Sequence, residues 1–440
     1  MIPARLVTLA LIASAPMLPG AAAPSPEWTE GDIRASRIQH VDPAGLADEP
    51  VFEADPLNLV LVIETGDQHV SVLDGDRLEV IQRVQSRAAV RGDPGFAAGG
   101  RHVYFASADG WVTKFDLWNL AVVAEVRAGI DTRNVAVSPD GEYVAVANFL
   151  PHTLTLFDGD LNLLKSIDVV SRDGRDSSRV SGVYAAGARS SFVAVLEDLP
   201  EVWEISFDPN AADIPLGFIH DHRLREGEFI SGYLHPRRTL LRQPLDNFLF
   251  TPDHSLLIGV SRGGEGQVVS LDARMPIAGL PHDGGWRPGS SISFEWRGRQ
   301  VAATANLRAG EVTVIDLEDF SVVERIPTRG PGVFLDSHED SRYAFVDSML
   351  SARYRNRLQV IDKVTLEIVG ELEAPPGQTL AHVEFTRDGR YALASLQELD
   401  GAVIVYDAET LGEIKRLPMR RPAGKYNVWN NIGRTGTRRP

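Results

Sequence analysis

The sequence predicts an all-β fold, an eight-bladed β-propeller, on three observations. First, an apolar residue followed by aspartate recurs at the end of alternating runs: Leu73-Asp74, Phe115-Asp116, Phe157-Asp158, Phe207-Asp208, Leu271-Asp272, Ile315-Asp316, Ile361-Asp362 and Tyr406-Asp407. Second, most of these recurrences lie about 42 to 50 residues apart, the length of a four-stranded propeller blade. Third, the chain of 440 residues exceeds the roughly 250 that one ordinary core holds, so it is either several domains or a repeat architecture that adds core unit by unit.

Each strand of the repeat has its own reason. "SPDGEYVAVAN" (138–148), "TRDGRYALASL" (386–396) and "AAGGRHVYFAS" (97–107) read as a tight turn, where glycine accepts positive φ, followed by a buried strand. The aspartate closing the next strand can accept backbone N–H groups and start a turn. A further strand follows, as in "LAVVAEVRAG", "FSVVERIPTRG" and "LGEIKRLPM". A seven-bladed ring with one repeat used as an extension is the alternative topology. The widest gap, Asp208 to Asp272, holds an Arg- and His-rich insertion, expected to map to loops at one end of the ring, where binding usually occurs.

Residues 1–23, with Arg5, an apolar run broken near Pro16 and Pro19, and small residues up to Ala23, read as a secretory signal peptide; the propeller is expected over 24–440. The absence of cysteine excludes disulfides, thiolate metal sites, lipid attachment through an N-terminal Cys and covalent c-type haem attachment. No later stretch is long and apolar enough to form a transmembrane segment. A formal net charge of -16 argues against nucleic acid or anionic lipid as partner.

A propeller channel collects side chains from every blade, so chemistry is sought where the innermost strands begin. His338 in "GPGVFLDSHEDSRYAFVD" and His382 in "PGQTLAHVEFTRDG" follow Gly/Pro-rich connections, and His282 sits in the Gly-rich "LPHDGGWRPGSS". Each reads as a ligand-site residue or as a satisfied structural histidine. Arg91, Arg133, Arg179, Arg262 and Arg329 recur at equivalent places. A ring of guanidinium groups suits a ligand with several carboxylates, unless each arginine pairs with an inter-blade aspartate. Asp131 and Asn148 are scattered oxygen donors, too few for the carboxylate cluster that a calcium-dependent hydrolase needs. Arginines and histidines around one channel fit a polycarboxylate that also offers a metal, an iron tetrapyrrole.

Several phrases are familiar as they stand: "DGWVTKFDLWNL" (109–120), "RAGIDTRNVAVSPDG" (127–141), "PTRGPGVFLDSHED" (327–340) and "RLPMRRPAGKYNVWN" (416–430). The chain resembles the NirF proteins of haem d1 biosynthesis and, more distantly, the d1 domain of dissimilatory nitrite reductase, an eight-bladed propeller. The resemblance implies a periplasmic protein that binds haem d1 or its precursor dihydro-haem d1, as ligand or substrate. It also implies transient contact with nitrite reductase and the related d1-haem dehydrogenase. It places His338 over the distal face of the haem as iron ligand and, with Asp131, as catalytic residue. Arg133, Arg179, His382 and Asn148 fall in family-like motifs, and Lys425, Tyr426 and Asn427 close the ring. Arg91, in "VRGDPGF", stands where the family's histidine is expected, and Ala185 where it has aspartate. A late-step tetrapyrrole enzyme or a carrier is the expected function, with a non-enzymatic interaction propeller as the alternative.

Overall fold

A computed structural model of the chain describes residues 27–215, 229–280 and 285–432. The expected signal peptide and His282 lie outside them. The eight blades are eight antiparallel sheets of four strands, one of them extended by a fifth. Their innermost strands are Pro422–Asn427 in blade 1, Val90–Phe96 in blade 2, Asp131–Val137 in blade 3 and Val180–Ala186 in blade 4. Asn247–Phe250, Ile292–Trp296, Leu335–Ser337 and Leu380–Phe385 serve blades 5 to 8.

The last strand of the chain closes the ring. Pro422–Asn427 pairs with Leu59–Glu64 in the register Val60 with Asn427, Leu61 with Tyr426 and Val62 with Lys425. Every residue of Leu59–Glu64 is buried, which is why this strand must have neighbours on both edges. The core lies between blades: Leu156 and Ala147 of blade 3 pack with Phe192 and Trp203 of blade 4, and Val62 and Leu73 of blade 1 pack with Leu393 and Val405 of blade 8.

The recurring aspartates do what the sequence implies. Asp74 accepts from the amides of Asp76 and Arg77, Asp116 from Trp118 and Asn119, Asp362 from Val364 and Asp407 from Thr410, at 2.8–3.0 Å. Several of these turns carry a leucine at positive φ, among them Leu78, Leu161 and Leu366. These leucines are buried, and apolar burial compensates the strained backbone.

Because neighbouring strands alternate in direction, all innermost strands begin on one face of the ring, which is the mouth. That face also carries the connections between second and third strands; the remaining turns lie on the far face. The insertion falls between Glu201–Ser206 and Pro236–Leu240, the third and fourth strands of blade 4. Its described flanks therefore leave from the far face, and the expectation that it sits with the binding loops is corrected. A short helix, Glu30–Ser36, capped by Thr29 and Asp32, leads into Ile38–Gln39, which pairs with the outer edge of blade 2.

Candidate functional site

All five arginines singled out in the sequence lie at the mouth, and four are already neutralised. Arg91 pairs with Asp131 at 2.6 Å, Arg179 with Asp198 at 2.6 Å, Arg262 with Asp246 at 3.3 Å and also with Glu197, and Arg329 with Glu371 at 3.1 Å. Asp131, read as a catalytic carboxylate, is thus the counter-charge of Arg91. Arg133 differs: among the described residues it has no carboxylate within ion-pair distance.

Its companion is Arg287, on the connection into blade 6, whose Nε donates to Ser290 Oγ at 3.0 Å. Arg287 feels Arg133 of blade 3, Tyr184 of blade 4, Asp246 of blade 5 and Asp93 of blade 2. Side chains of four other blades thus act on this one guanidinium. Burial first, and the like charge of Arg133 second, pull the Arg287 guanidinium below its usual range. Two half-buried guanidiniums that repel one another, and that have no carboxylate within ion-pair distance among the described residues, suit an anion. Tyr184 keeps some solvent contact although deep in the molecule, as a channel-lining side chain does.

His382 is the second feature. It adopts φ +50° at a bulge between Ala381 and Val383, an unusual backbone for a residue with Cβ and one that persists only when its surroundings impose it. Lys425 Nζ donates to the His382 carbonyl at 2.7 Å. The ring lies between Phe334 and Tyr426, with centroids 4.8 and 6.0 Å away. At 4% exposure, its Nδ1 has no hydrogen-bond partner. Burial and the Lys425 charge hold the imidazole well below its ordinary pKa, so it stays neutral and keeps a lone pair. Phe334 is fixed by Asp347, which accepts from Phe334 N at 2.7 Å, Val333 N at 3.1 Å and Met349 N at 2.9 Å.

Two expected site residues lie elsewhere. His338 follows Leu335–Ser337 in a far-face turn, where Asp340 N donates to its Nδ1 at 3.1 Å and Lys363 Nζ to its carbonyl at 2.9 Å. Gly389, at φ +69°, is small because a Cβ there would stand 2.5 Å from the His338 ring. His338 is thus packed between turns of blades 7 and 8, and the mouth-side imidazole is that of His382. Asn148, with 0% exposure, accepts from Thr132 Oγ1 at 3.0 Å and donates to Thr153 Oγ1, Thr155 Oγ1 and the Ala128 carbonyl at 3.0–3.2 Å. Its amide is committed within blade 3 and the connection leading into it.

Sequence reasoning missed Arg287, Tyr184 and Asp93. Arg287 stood five residues after His282 in the same Gly-rich phrase, and only the histidine was read. Among the described residues no three His, Asp or Glu side chains converge as a metal cage. The buried imidazole of His382 is a single donor, suited to a metal that brings its other ligands with it.

Comparison with known proteins agrees with this geometry. The model of the Cytochrome D1 heme domain matches residues 54–230 and 234–431. The dihydro-heme d1 dehydrogenase of Pseudomonas aeruginosa is 48% identical over 410 residues, covering 93% of this chain and 78% of that protein. Protein NirF of the same organism is 28% identical over 404 residues, covering 87% of this chain and 93% of that protein. The solved structure of dihydro-heme d1 dehydrogenase NirN in complex with DHE superimposes with a TM-score of 0.86 at 47% identity, covering 94% of this chain and 84% of that one. The resemblance to NirF is corrected accordingly: at 48% against 28% identity, the chain stands nearer to the dehydrogenase.

Proposed function

The chain belongs to the Cytochrome D1 heme domain family, and from this we propose that it binds dihydro-haem d1 in the propeller channel and dehydrogenates it in haem d1 biosynthesis. The observation that carries the reading is the pair of guanidiniums, Arg133 and Arg287, which repel one another and form no ion pair among the described residues. Tetrapyrrole carboxylates accept paired, charge-assisted hydrogen bonds from such groups. His382 Nδ1 offers one nitrogen to the substrate iron, and the aromatic rings of Phe334 and Tyr426 flank that imidazole.

Dehydrogenation releases two electrons. This chain has no cysteine to tether a c-type haem, and the electrons pass to an external one-electron acceptor. The reading places the protein in the periplasm, exported by its N-terminal 23 residues, with transient delivery of product to nitrite reductase. No helix among the described residues is long and apolar enough to cross a membrane.

The test is a titration of the purified protein with dihydro-haem d1 followed by absorbance, repeated for His382→Ala and His338→Ala. The expected result is micromolar binding with a spectrum altered by His382→Ala and untouched by His338→Ala. Absence of binding by the unmodified protein would sink the reading and return the molecule to the class of interaction propellers.

A further inference from the structure

Resting on that reading, we propose that Asp93 is the proton acceptor for the hydrogen removed from the substrate. Most of the other acidic side chains on or beside the innermost strands are consumed, and Glu295 is exposed toward the far-face end of blade 6's innermost strand. Asp131 pairs with Arg91 and Asp246 with Arg262. Asp336 accepts the Val383 amide at 2.9 Å, and Asp347 accepts three amides. Glu384 accepts from Phe385 N at 2.8 Å, Asn430 Nδ2 at 3.0 Å and Asn431 Nδ2 at 3.2 Å.

Asp93 is held differently. The ladder between blade 2's first two strands is interrupted from Arg91 to Gly95, and Gly92 takes φ +66° inside that interval. A Cβ on Gly92 would stand 2.6 Å from Asn134 Cβ, so only glycine lets this bulge lie against blade 3. The bulge pushes Asp93 out of the pairing, and it is exposed although its strand is the innermost of the blade. Tyr426 Oη donates to its Oδ1 at 2.7 Å; among the described residues this is the one hydrogen bond to its carboxylate. Asp93 acts electrostatically on Tyr184 and Arg287, and its partner Tyr426 packs against the His382 ring. The hydroxyl of Tyr426 fixes one oxygen of this exposed carboxylate and leaves Oδ2 without a hydrogen bond among the described residues, the arrangement a proton acceptor requires.

The step balances as follows. The substrate loses two C–H bonds and gains one C=C bond. One proton goes to Asp93 Oδ2 and the other to solvent, and two electrons go to the external one-electron acceptor, two equivalents of ferricyanide in an assay. The neutral His382 takes no part in this transfer.

Asp93→Ala, Asp93→Asn and the unmodified protein are compared with dihydro-haem d1 and ferricyanide. Asp93→Ala is expected to bind substrate within about threefold of the unmodified protein and to turn over about 100-fold more slowly. Added formate should restore about tenfold of that loss in Asp93→Ala, because a small carboxylate can occupy the vacated space, and nothing in Asp93→Asn. Turnover of Asp93→Ala within about threefold of the unmodified protein overturns the proposal while leaving the function standing. A slow Asp93→Ala that formate does not rescue also overturns it, since the side chain then acts through structure. An unmodified protein that does not oxidise the substrate overturns both.

Discussion

Lys425 Nζ lies 2.7 Å from the carbonyl oxygen of His382 and 2.5 Å from Ser395 Oγ, at 0% exposure. The bond joins the strand that closes the ring to blade 8, and the same contact holds the bulge at which His382 takes φ +50°. Ring closure and the placement of the site are therefore one structural event.

Burial pulls the Lys425 ammonium down to about 7, and this sets a pH dependence. Between about 7 and the usual lysine value of ~10.4 the unfolded chain keeps the proton and the folded chain sheds it. The unfolded state then binds more protons, so the contribution of this group to stability rises with pH across that window, by about 1.4 kcal/mol per unit at most. Denaturant unfolding at pH 7, 8 and 9 should show the unmodified protein gaining stability relative to Lys425→Met, whose side chain does not titrate. A flat or opposite difference would mean that the ammonium is stabilised where it lies. Tetrapyrrole carboxylate binding should survive in Lys425→Met, but with the altered spectrum expected of His382→Ala.

Arg133→Ala and Arg287→Ala should each weaken tetrapyrrole binding by about 10- to 100-fold, the loss of one charge-assisted contact of ~1.5–3 kcal/mol. Neither should destabilise the fold, because both relieve repulsion between like charges. Arg179→Ala and Arg329→Ala, which only unmake surface ion pairs, should leave affinity unchanged. A titration that ranked the four arginines alike would show that the mouth acts as a diffuse basic surface rather than a two-point anchor.

The fold was readable from the sequence because its signals are local and repeated. An apolar residue and an aspartate at the head of a turn need only a few residues to declare themselves, and eight copies of the pair fix the blade count. The insertion was misplaced because a gap between repeats gives its length and not the strand it follows. Arginine spacing located the mouth correctly, yet whether a guanidinium is free depends on the next blade: Arg91 meets Asp131, whereas Arg133 meets Arg287 from half a ring away. His338 and His382 look equivalent in sequence, each after a Gly/Pro-rich connection. Only three strand residues separate the connection from the far-face turn in blade 7, so His338 falls in that turn, whereas His382 lies within the six-residue innermost strand of blade 8.

Asn148→Ala separates structural from ligand roles directly. Its amide satisfies Thr132, Thr153, Thr155 and the Ala128 carbonyl, and truncation leaves buried polar groups without partners at about 1–3 kcal/mol. The denaturation midpoint should fall with that loss while tetrapyrrole affinity stays within about twofold of the unmodified protein. A variant of normal stability that no longer bound ligand would reinstate Asn148 as a site residue.

Closure of the ring rests on a second polar node. Asn58 Oδ1 accepts both Arg387 N at 2.8 Å and Asn427 Nδ2 at 3.1 Å, so one side chain ties the turn leading into Leu59–Glu64, the last strand and the blade 8 turn together. Asn427 is fully buried and also caps the final helical turn, accepting from Asn430 N at 3.2 Å. Asn427→Ala should cost about 2 kcal/mol, the sum of a lost cap and a buried acceptor left half-satisfied. Because the two asparagines share the bond, a double-mutant cycle of Asn58→Ala with Asn427→Ala should show a coupling of about 1 kcal/mol. Asn148→Ala, which shares no partner with Asn427, should instead be additive with Asn427→Ala. Equal coupling in both cycles would mean that the blades communicate through the whole ring and that no single latch holds it shut.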